Sequence, residues 1–427
     1  MAIPEQGAPE SRPLRQLNIL RTLGPGLVTG AADDDPSGVA TYSQVGAQFG
    51  YSLGWTMVFS YPLMAAIQGL SAGVGAVTGQ GIAQNLRRHF PSWVLRLAVV
   101  LLFVANFINI GADLAAMGAA LDLLLPGPQL LYAAAFGIVC VGLEVFVSYR
   151  RYASVLKWLT LSLFAYVAVV FLAHVPWSTA LLGTLIPKLE FDRTHAMALV
   201  ALLGTTISPY LFFWQAGEEV EELHRRHQKR LAVDPAGAKA ALRRIRLDTL
   251  FGMGFSNLIA LFIIFATAAT LNAHGITLIQ TSAEAAEALR PFAGDLAFAV
   301  FALGIIGTGL LAVPVLAGSS AYAVAEMFGW PEGLDRQPRE AKAFYGTIAV
   351  ATLGSVLFSL GAVDPILALY WSAVINGILA VPLIVILLLM SANPRVMGRL
   401  TAPWWMRAIG WLAAFVMALA TVGFIFL

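Results

Sequence analysis

The chain has 427 residues, of which 59% are hydrophobic and 12% are charged, and its formal net charge is +2. A soluble domain carries roughly 25% charged residues, so this composition indicates a protein embedded in lipid. The small net charge, with basic residues confined to short segments, argues against a nucleic-acid-binding protein. The single cysteine, Cys140, excludes a disulfide framework and a cysteine metal cluster.

Eleven apolar segments are each long enough to cross a bilayer, which takes roughly 20 apolar residues. The first 22 residues are polar and are predicted to form a cytosolic tail, and residues 23–427 are predicted to form a single transmembrane domain. The fold class is therefore all-α, that of a polytopic integral membrane protein. The predicted spans are 23–48, 53–79, 94–121, 130–148, 155–175, 194–217, 248–271, 295–328, 342–361, 364–391 and 405–427.

The distribution of lysine and arginine supports this number of spans and orients the chain. With the N-terminus in the cytosol, 23 of the 26 basic residues fall in cytosolic segments, as the positive-inside rule requires. The three that face outward are Lys188, Arg193 and Arg290. We therefore expect a protein of the cell (inner) membrane with a cytoplasmic N-terminus and an extracytoplasmic C-terminus.

The first span carries three consecutive carboxylates in its middle, Asp33, Asp34 and Asp35, followed by Pro36 and Gly38. Each Asp at the centre of a membrane helix costs roughly 2.5–3.5 kcal/mol on insertion scales. Pro36 also removes a backbone hydrogen bond, so the helix is predicted to open here. Non-helical backbone at this depth occurs where it is enclosed by protein or lines an aqueous cavity. The segment therefore predicts an enclosed polar site rather than a simple proline kink.

The sixth span is interrupted in the same way, by Gly204, Thr205, Thr206, Ser208 and Pro209. Because it follows the first by five spans, helices 1–5 and 6–10 (about 23–175 and 194–391) are predicted to be inverted repeats, with 405–427 as an extra helix. Paired discontinuous helices at corresponding positions point to the central site of a transporter. Opened carbonyls together with carboxylates suit a hard cation.

Two further acids lie inside predicted spans. Asp113, in the third span, has two open interpretations: a cation or proton path, or a paired structural acid. Glu144, near the cytosolic end of the fourth span, is expected to pair with Arg150 or Arg151. The chain contains no HExxH or GxSxG motif, so an enzyme is not predicted.

Motifs in four of these helices resemble those of the Nramp family of divalent metal transporters. The similar segments are GPGLVTGAADDDPSGVATYSQVGAQFGY in the first helix, GADLAAMGAA in the third, NLIALFIIFATAATL in the seventh and AGSSAYAVAEMF in the eighth. The resemblance implies a LeuT-type inverted repeat in which helices 1 and 6 are discontinuous. It also implies that Asp35 binds the ion together with the backbone carbonyls of Ala32 and Thr205.

The chain departs from the family pattern at several positions that this resemblance assigns to the site. Gly38 stands where the family's DPGN motif has Asn, and Ser208 and Tyr210 replace the Met and His of its MPH motif. Asp113 matches a proton-pathway Asp, but the position of the next acid holds Ala116, and the ninth span lacks the family's intramembrane Arg.

These departures favour a hard, hydrated ion. Loss of the thioether removes the group that prefers softer transition metals. Gly38 and Ser208 are also expected to enlarge the site, and Mg²⁺ is the ion most reluctant to shed its waters. Asp34 is expected to hold a coordinated water, and Asp33 to face another side of the opened segment.

The predicted function is uptake of hydrated Mg²⁺, with Mn²⁺ tolerated, by alternating access without obligatory proton coupling. In this the chain resembles the Nramp-related magnesium transporter branch. The alternatives are a proton-coupled Mn²⁺ or transition-metal symporter of the Nramp type and, from another class, a LeuT-fold organic-solute transporter. No cofactor is expected beside the transported ion. The expected partners are that ion and the lipid bilayer, and the chain is predicted to be a monomer.

Overall fold

The computed structural model describes residues 25–147, 159–188, 190, 192–226, 228–233, 237–334, 336–357 and 364–427. The predicted tail, residues 1–22, lies outside the described residues, and so do Arg150 and Arg151, the expected partners of Glu144. Within the described ranges the chain forms helices, turns and loops and contains no strand. The predicted all-α fold class is therefore confirmed.

The first half of the described chain forms eight α-helices. They are α1 (Pro25–Asp33), α2 (Pro36–Phe49), α3 (Trp55–Thr78), α4 (Ile82–His89), α5 (Ser92–Asp122), α6 (Gln129–Phe146), α7 (Phe164–Leu172) and α8 (Trp177–Leu185). A short 3-10 helix, Leu159–Leu163, precedes α7.

The second half of the described chain forms ten more α-helices. They are α9 (Arg193–Thr206), α10 (Pro209–Arg225), α11 (Ala238–Thr270), α12 (Ser282–Glu287), α13 (Arg290–Ala293), α14 (Ala297–Phe328), α15 (Lys342–Ser355), α16 (Pro365–Ala392), α17 (Pro394–Met397) and α18 (Trp404–Phe426).

Eight segments of the described chain are long and apolar enough to cross a membrane. They comprise α3, α5, α6, α9 with α10, α11, α13 through α14, α16 and α18. The first predicted span corresponds to α1 and α2 together, and the fifth and ninth correspond to α7 and α15. Parts of the fifth and ninth spans lie outside the described residues. Each of the eleven predicted spans therefore contains a helical segment.

The first break separates α1 from α2 at Asp34 and Asp35. Pro36 suits the first position of α2 because its missing N–H would have no partner there and its φ is already helical. Asp35 has an extended backbone (φ −70°, ψ 171°), and its side chain caps α2 by accepting a hydrogen bond from the N–H of Gly38. A carboxylate at this position also interacts favourably with the positive end of the helix dipole.

The second break separates α9 from α10 at Ile207 and Ser208. Pro209 begins α10 as Pro36 begins α2. Ser208 is the residue before the helix, yet its side chain does not cap it. The Ser208 hydroxyl instead turns back toward α9 and lies 2.6 Å from the carbonyl oxygen of Gly204 and 2.9 Å from that of Thr205. The predicted discontinuity of helices 1 and 6 is confirmed.

Both broken helices lie inside the bundle. α1 and α2 pack against α11, α9 packs against α16, and α10 packs against α3 and α14. Glycine permits a close approach at each break: a Cβ on Gly30 would collide with the backbone of Gly252, and a Cβ on Gly204 would collide with that of Ala373 and Gly377. The backbone of each break is therefore fixed against a continuous neighbouring helix.

Candidate metal centre

Asp35 lies at the centre of the first break with both carboxylate oxygens engaged, and its side chain is buried. Its Oδ1 accepts hydrogen bonds from the N–H of Gly38 at 2.6 Å and from the hydroxyl of Ser37 at 2.8 Å. Its Oδ2 lies 3.3 Å from the amide nitrogen of Asn109 and 3.3 Å from the hydroxyl of Tyr210. The first two contacts hold the carboxylate on α2, and the other two join it to α5 and α10.

The hydroxyl of Tyr210 joins the two breaks. It lies 2.9 Å from the carbonyl oxygen of Ala32 and 3.3 Å from Oδ2 of Asp35. A hydroxyl has one proton to donate, so the shorter contact to Ala32 is the stronger hydrogen bond. The Ala32 carbonyl and the Asp35 carboxylate, two groups predicted to bind the ion, therefore both lie within 3.3 Å of one point. The Tyr210 hydroxyl occupies that point.

Thr205 stands across the site on the last turn of α9. Its carbonyl oxygen lies 2.9 Å from the hydroxyl of Ser208, which is closer to Gly204, and a carbonyl has two lone pairs for partners. Its side-chain oxygen lies 3.2 Å from the position that a Cβ on Gly38 would take, and Cε2 of Tyr42 lies 3.3 Å from the same position. The space beside Gly38 is therefore filled in this conformation, and a larger residue there requires Thr205 or Tyr42 to move.

Asp33 and Asp34 turn toward α11 instead. The hydroxyl of Ser256 lies 2.5 Å from Oδ2 of Asp33 and 3.0 Å from Oδ1 of Asp34. All three side chains are buried. The other oxygen of Asp33, Oδ1, has no hydrogen-bond partner among the described residues. The three carboxylates of the first break therefore divide into Asp35, which faces α5 and α10, and the pair that faces α11.

Asp113 lies one helical turn beyond Asn109 on α5, so the two share a face of that helix. It is fully buried, and its carboxylate interacts with the backbone N–H of Ser37 and with the charge of Asp35. Neither of its oxygens makes a hydrogen bond of regular geometry within the described ranges, and it takes part in none of the ion pairs found there. The interpretation of Asp113 as a paired structural acid thus finds no basic partner in the described part of the chain.

Three residues of this centre were not predicted: Asn109, Ser256 and Ser372. Ser372, on α16, donates a hydrogen bond to the side-chain oxygen of Asn109 at 2.9 Å, which extends the network of Asp35 to a third helix. A signal for Asn109 existed in its spacing of four residues from Asp113. The two serines carried none, because a serine in a membrane helix commonly bonds only its own backbone.

Two cavities approach the bundle interior from different places. One, of about 670 Å³, lies between α5, α6 and α16 and is lined in part by Gly111, Trp371 and Ser372. It therefore reaches the residue that bonds Asn109, which places the Asp35 network within two hydrogen bonds of an accessible space.

The other cavity, of about 590 Å³, is lined by Glu221, Glu326 and Glu332. Burial raises the pKa of the Glu332 carboxyl to about 7, against the opposing effect of nearby Arg336. Gly217, another lining residue, lies eight residues beyond Pro209, roughly 12 Å along α10. This acidic cavity therefore belongs to the far end of α10 and not to the break.

Comparison with known proteins identifies relatives over almost the whole chain. Residues 26–427 match a family model described as "Natural resistance-associated macrophage protein-like". The "Divalent metal cation transporter MntH" of Klebsiella pneumoniae subsp. pneumoniae is 28% identical over 410 residues, which cover 94% of this chain and 92% of that protein. The protein of the same name from Deinococcus radiodurans is 27% identical over 409 residues, which cover 93% of this chain and 87% of that protein.

Solved structures of transporters share the fold. The Eremococcus coleocola manganese transporter, in complex with an aromatic bis-isothiourea substituted compound, superposes with a TM-score of 0.74 at 19% identity, covering 97% of this chain and 88% of that one. MhsT in complex with L-phenylalanine gives a TM-score of 0.60 at 13% identity, covering 94% and 98%. These similarities confirm the predicted LeuT-type fold. The extent of the family match shows that this chain, an integral membrane protein, belongs to the Nramp (natural resistance-associated macrophage protein-like) family.

Proposed function

We propose that this chain transports a divalent metal cation across the membrane through the centre formed by its two helix breaks. One observation carries the proposal: the carboxylate of Asp35 and the carbonyl of Ala32, buried at the first break, converge on one point beside Tyr210 of the second. A buried carboxylate is costly unless it is paired or binds a cation. The names of the relatives, divalent metal cation transporters and manganese transporters, support the same function.

The proposed ligands are Asp35 and the carbonyls of Ala32 and Thr205. A hydroxyl group lies against each carbonyl: that of Tyr210 bonds Ala32, and that of Ser208, which is closer to Gly204, makes its longer contact with Thr205. Rotation of either hydroxyl frees its carbonyl, so ion binding exchanges a hydrogen bond for a coordination bond. The Tyr210 oxygen is itself an acceptor and can remain beside the ion as a ligand.

Asn109 offers the carboxamide that the family motif has at the position of Gly38. Its amide group contacts Asp35 on one side and Ser372 on the other. The oxygen and nitrogen of an Asn side chain are assigned from the hydrogen-bond network. A rotation of about 180° would turn the Asn109 oxygen toward an ion held by Asp35. The amide ligand is then supplied from α5 instead of α2.

We further propose that the transported ion is hydrated Mg²⁺, with Mn²⁺ tolerated. The groups around the point that Tyr210 occupies offer oxygen ligands, and oxygen ligands suit Mg²⁺ and Mn²⁺ alike. The thioether of Met117 packs against Gly309 between α5 and α14 and forms no part of this ligand set. Without a soft ligand, the preference for transition metals is reduced.

Transport is proposed to proceed by alternating access without obligatory proton coupling. The membrane potential contributes roughly 2.3 kcal/mol per charge per 100 mV, or about 4.6 kcal/mol for a divalent ion, which suffices to drive uptake. A proton-coupled Mn²⁺ symporter is the second candidate, because Asp113 lies near Asp35 and has no basic partner among the described residues. An organic solute with a carboxylate, in contrast, would be repelled by the three Asp residues of the first break.

The test measures Mg²⁺, Mn²⁺ and Ca²⁺ uptake into proteoliposomes at a clamped potential, with a pH dye inside. We expect saturable Mg²⁺ uptake that Mn²⁺ inhibits and that does not acidify the lumen. Asp35→Asn serves as the inactive variant, and Asp295→Asn, the same change at an exposed position, as the matched control. Failure of the wild type to move any of these ions faster than empty liposomes would reject the function. Uptake of Mn²⁺ with acidification and without Mg²⁺ flux would favour the second candidate.

A further inference from the structure

Asp33 and Asp34 form a pair of buried carboxylates that the proposed ligand set does not use. Asp33 is 1% exposed and Asp34 is 3% exposed. One hydroxyl, that of Ser256, serves both of them. In the part of the chain that the structure describes, neither carboxylate forms an ion pair with a basic side chain. The two carboxyl groups therefore share one neutral hydroxyl, which has a single proton to donate.

We propose that Asp33, Asp34 and Ser256 form a second divalent-cation site, separate from the one at Asp35. Two buried polar atoms point to a missing ligand. Oδ1 of Asp33 is buried and has no hydrogen-bond partner among the described residues. The hydroxyl of Tyr42, whose side chain is 0% exposed, makes no hydrogen bond of regular geometry within those ranges; it interacts with Thr205 and with the charges of Asp33, Asp34 and Asp35. Buried polar atoms are rarely left without a partner unless an ion or water is absent.

The charge of the region supports two ions rather than one. When ionised, the three carboxyl groups of the first break and that of Asp113 on α5 place four negative charges close together. One divalent ion at Asp35 offsets two of these charges. A second, between Asp33 and Asp34, offsets the remainder without a basic side chain. Buried charges need such compensation because solvation by water is lost.

The second site lies on a different interface from the first. Asp35 faces α5 and α10, whereas Ser256 belongs to α11, which packs closely on α1. The backbone N–H of Gly26, at the start of α1, also bonds Asp248 of α11 at 2.8 Å. The second ion would therefore bridge the α1–α11 interface. Oxygen from both carboxylates and from the Ser256 hydroxyl, completed by water, is the ligand set of a hard divalent cation.

Separate residues allow the two sites to be counted separately. The number of Mn²⁺ ions bound per chain is measured by equilibrium dialysis of the detergent-solubilised protein, with Mn²⁺ as the probe. We expect two ions in the wild type and in the Asp295→Asn control. The double variant Asp33→Asn with Asp34→Asn should keep one ion, and Asp35→Asn should also keep one. The variant that combines all three changes should bind none.

A milder variant removes only the neutral ligand. Ser256→Ala should lower the affinity for the second ion about tenfold, in the range seen when groups that support a metal site are removed. The first ion should bind as in the wild type. Retention of one ion by the Asp33, Asp34 double variant shows at the same time that this variant is folded.

Three results would overturn the second site. A wild type that binds one ion, lost in Asp35→Asn but kept in the double variant, would mean that Asp33 and Asp34 hold protons only. A double variant that elutes as a folded protein yet binds no ion would place all three acids in a single site. A Ser256→Ala variant that binds both ions with wild-type affinity would remove α11 from the site. The inference rests on the proposed function for its choice of ion and for the first site at Asp35, and the two can fail separately, since two bound ions without uptake would reject transport and leave the second site intact.

Discussion

The first break opens between α1 and α2 and the second between α9 and α10, and in each a proline begins the following helix. The connecting residues differ in charge. Asp34 and Asp35 connect the first pair of helices, and Ile207 and Ser208 connect the second. The two breaks therefore share a proline-initiated helix, but the first connection carries two carboxylates and the second carries none. Asp33 adds a third carboxylate at the end of α1.

The partners of the two breaks differ accordingly. The acids of the first break find theirs on other helices, at Asn109, Tyr210 and Ser256. The polar groups of the second are largely satisfied within α9, where Ser208 bonds Gly204 and Thr205. The comparison teaches that the first break supplies charge and draws neighbours to it, while the second supplies neutral oxygens and hydroxyl groups that can move.

The largest expected effect comes from removing the charge of the first break. Asp35→Asn should abolish Mg²⁺ uptake in proteoliposomes, with a loss of at least about 100-fold in apparent ion affinity, the upper range for altered metal sites. Ser208→Ala, the corresponding change at the second break, should retain uptake because the Thr205 carbonyl remains. If the two variants lose uptake to the same degree, the breaks do not divide charge and neutral ligands as described.

A change of ion preference is expected when the second break is given a soft ligand. Ser208→Met places a thioether beside the Thr205 carbonyl. It should raise the ratio of Mn²⁺ uptake to Mg²⁺ uptake about tenfold, which corresponds to about 1.4 kcal/mol. Adding Gly38→Asn should increase the shift, although Thr205 and Tyr42 must move to admit it. Competition assays with both ions provide the ratio. An unchanged ratio in Ser208→Met would mean that the ion does not contact the second break.

Removal of the Tyr210 hydroxyl, which joins the two breaks, should lower the stability of the ion-free protein more than that of the ion-bound protein. Tyr210→Phe leaves the Ala32 carbonyl without its donor, and an unsatisfied buried group costs about 1–3 kcal/mol. We therefore expect a lower melting temperature without ions and a larger rise on addition of Mg²⁺ than in the wild type. Thermal unfolding of the detergent-solubilised protein, with and without Mg²⁺, measures both. Equal ion-induced rises in the two proteins would show that the hydroxyl does not occupy the place of the ion.

A smaller effect is expected from removing the acid that could couple ion transport to protons. Asp113→Asn removes the one acid of α5 near Asp35 and should leave Mg²⁺ uptake within about twofold of the wild type, because no obligatory proton transfer is proposed. Internal pH is followed with a dye during uptake at a clamped potential. Acidification that accompanies ion flux in the wild type and disappears in Asp113→Asn would restore a proton symport mechanism.

Both breaks could be predicted from the sequence because each violates the rules of a membrane helix. Three acids or a polar run before a proline cannot form a continuous lipid-exposed helix, so the chain must open and be enclosed. The eleven spans followed from segment length and from the distribution of basic residues. The division into repeats at about 23–175 and 194–391, and the orientation of the termini, stay predictions.

The direction of each carboxylate could not be predicted. Periodicity assigns side chains to faces only within a regular helix or strand, and Asp34 and Asp35 lie between helices. Their partners are also distant in the chain: Asn109 is 74 residues from Asp35, and Ser256 is 222 residues from Asp34. Gly38 illustrates the same limit, because the sequence indicates an enlarged site, whereas packing brings Thr205 and Tyr42 against it.

The smallest effect is expected from the thioether that already lies near the first break. Met117, on α5, contacts Gly309 and lies one helical turn beyond Asp113, so a soft atom is close to the centre. Met117→Leu conserves volume and should cost less than about 1.5 kcal/mol of stability. If the ion meets only the oxygens of the two breaks, the Mn²⁺ to Mg²⁺ uptake ratio of this variant equals that of the wild type. A fall in Mn²⁺ uptake alone would show that α5 supplies a soft ligand, and the contrast between a charged and a neutral break would then no longer account for ion preference.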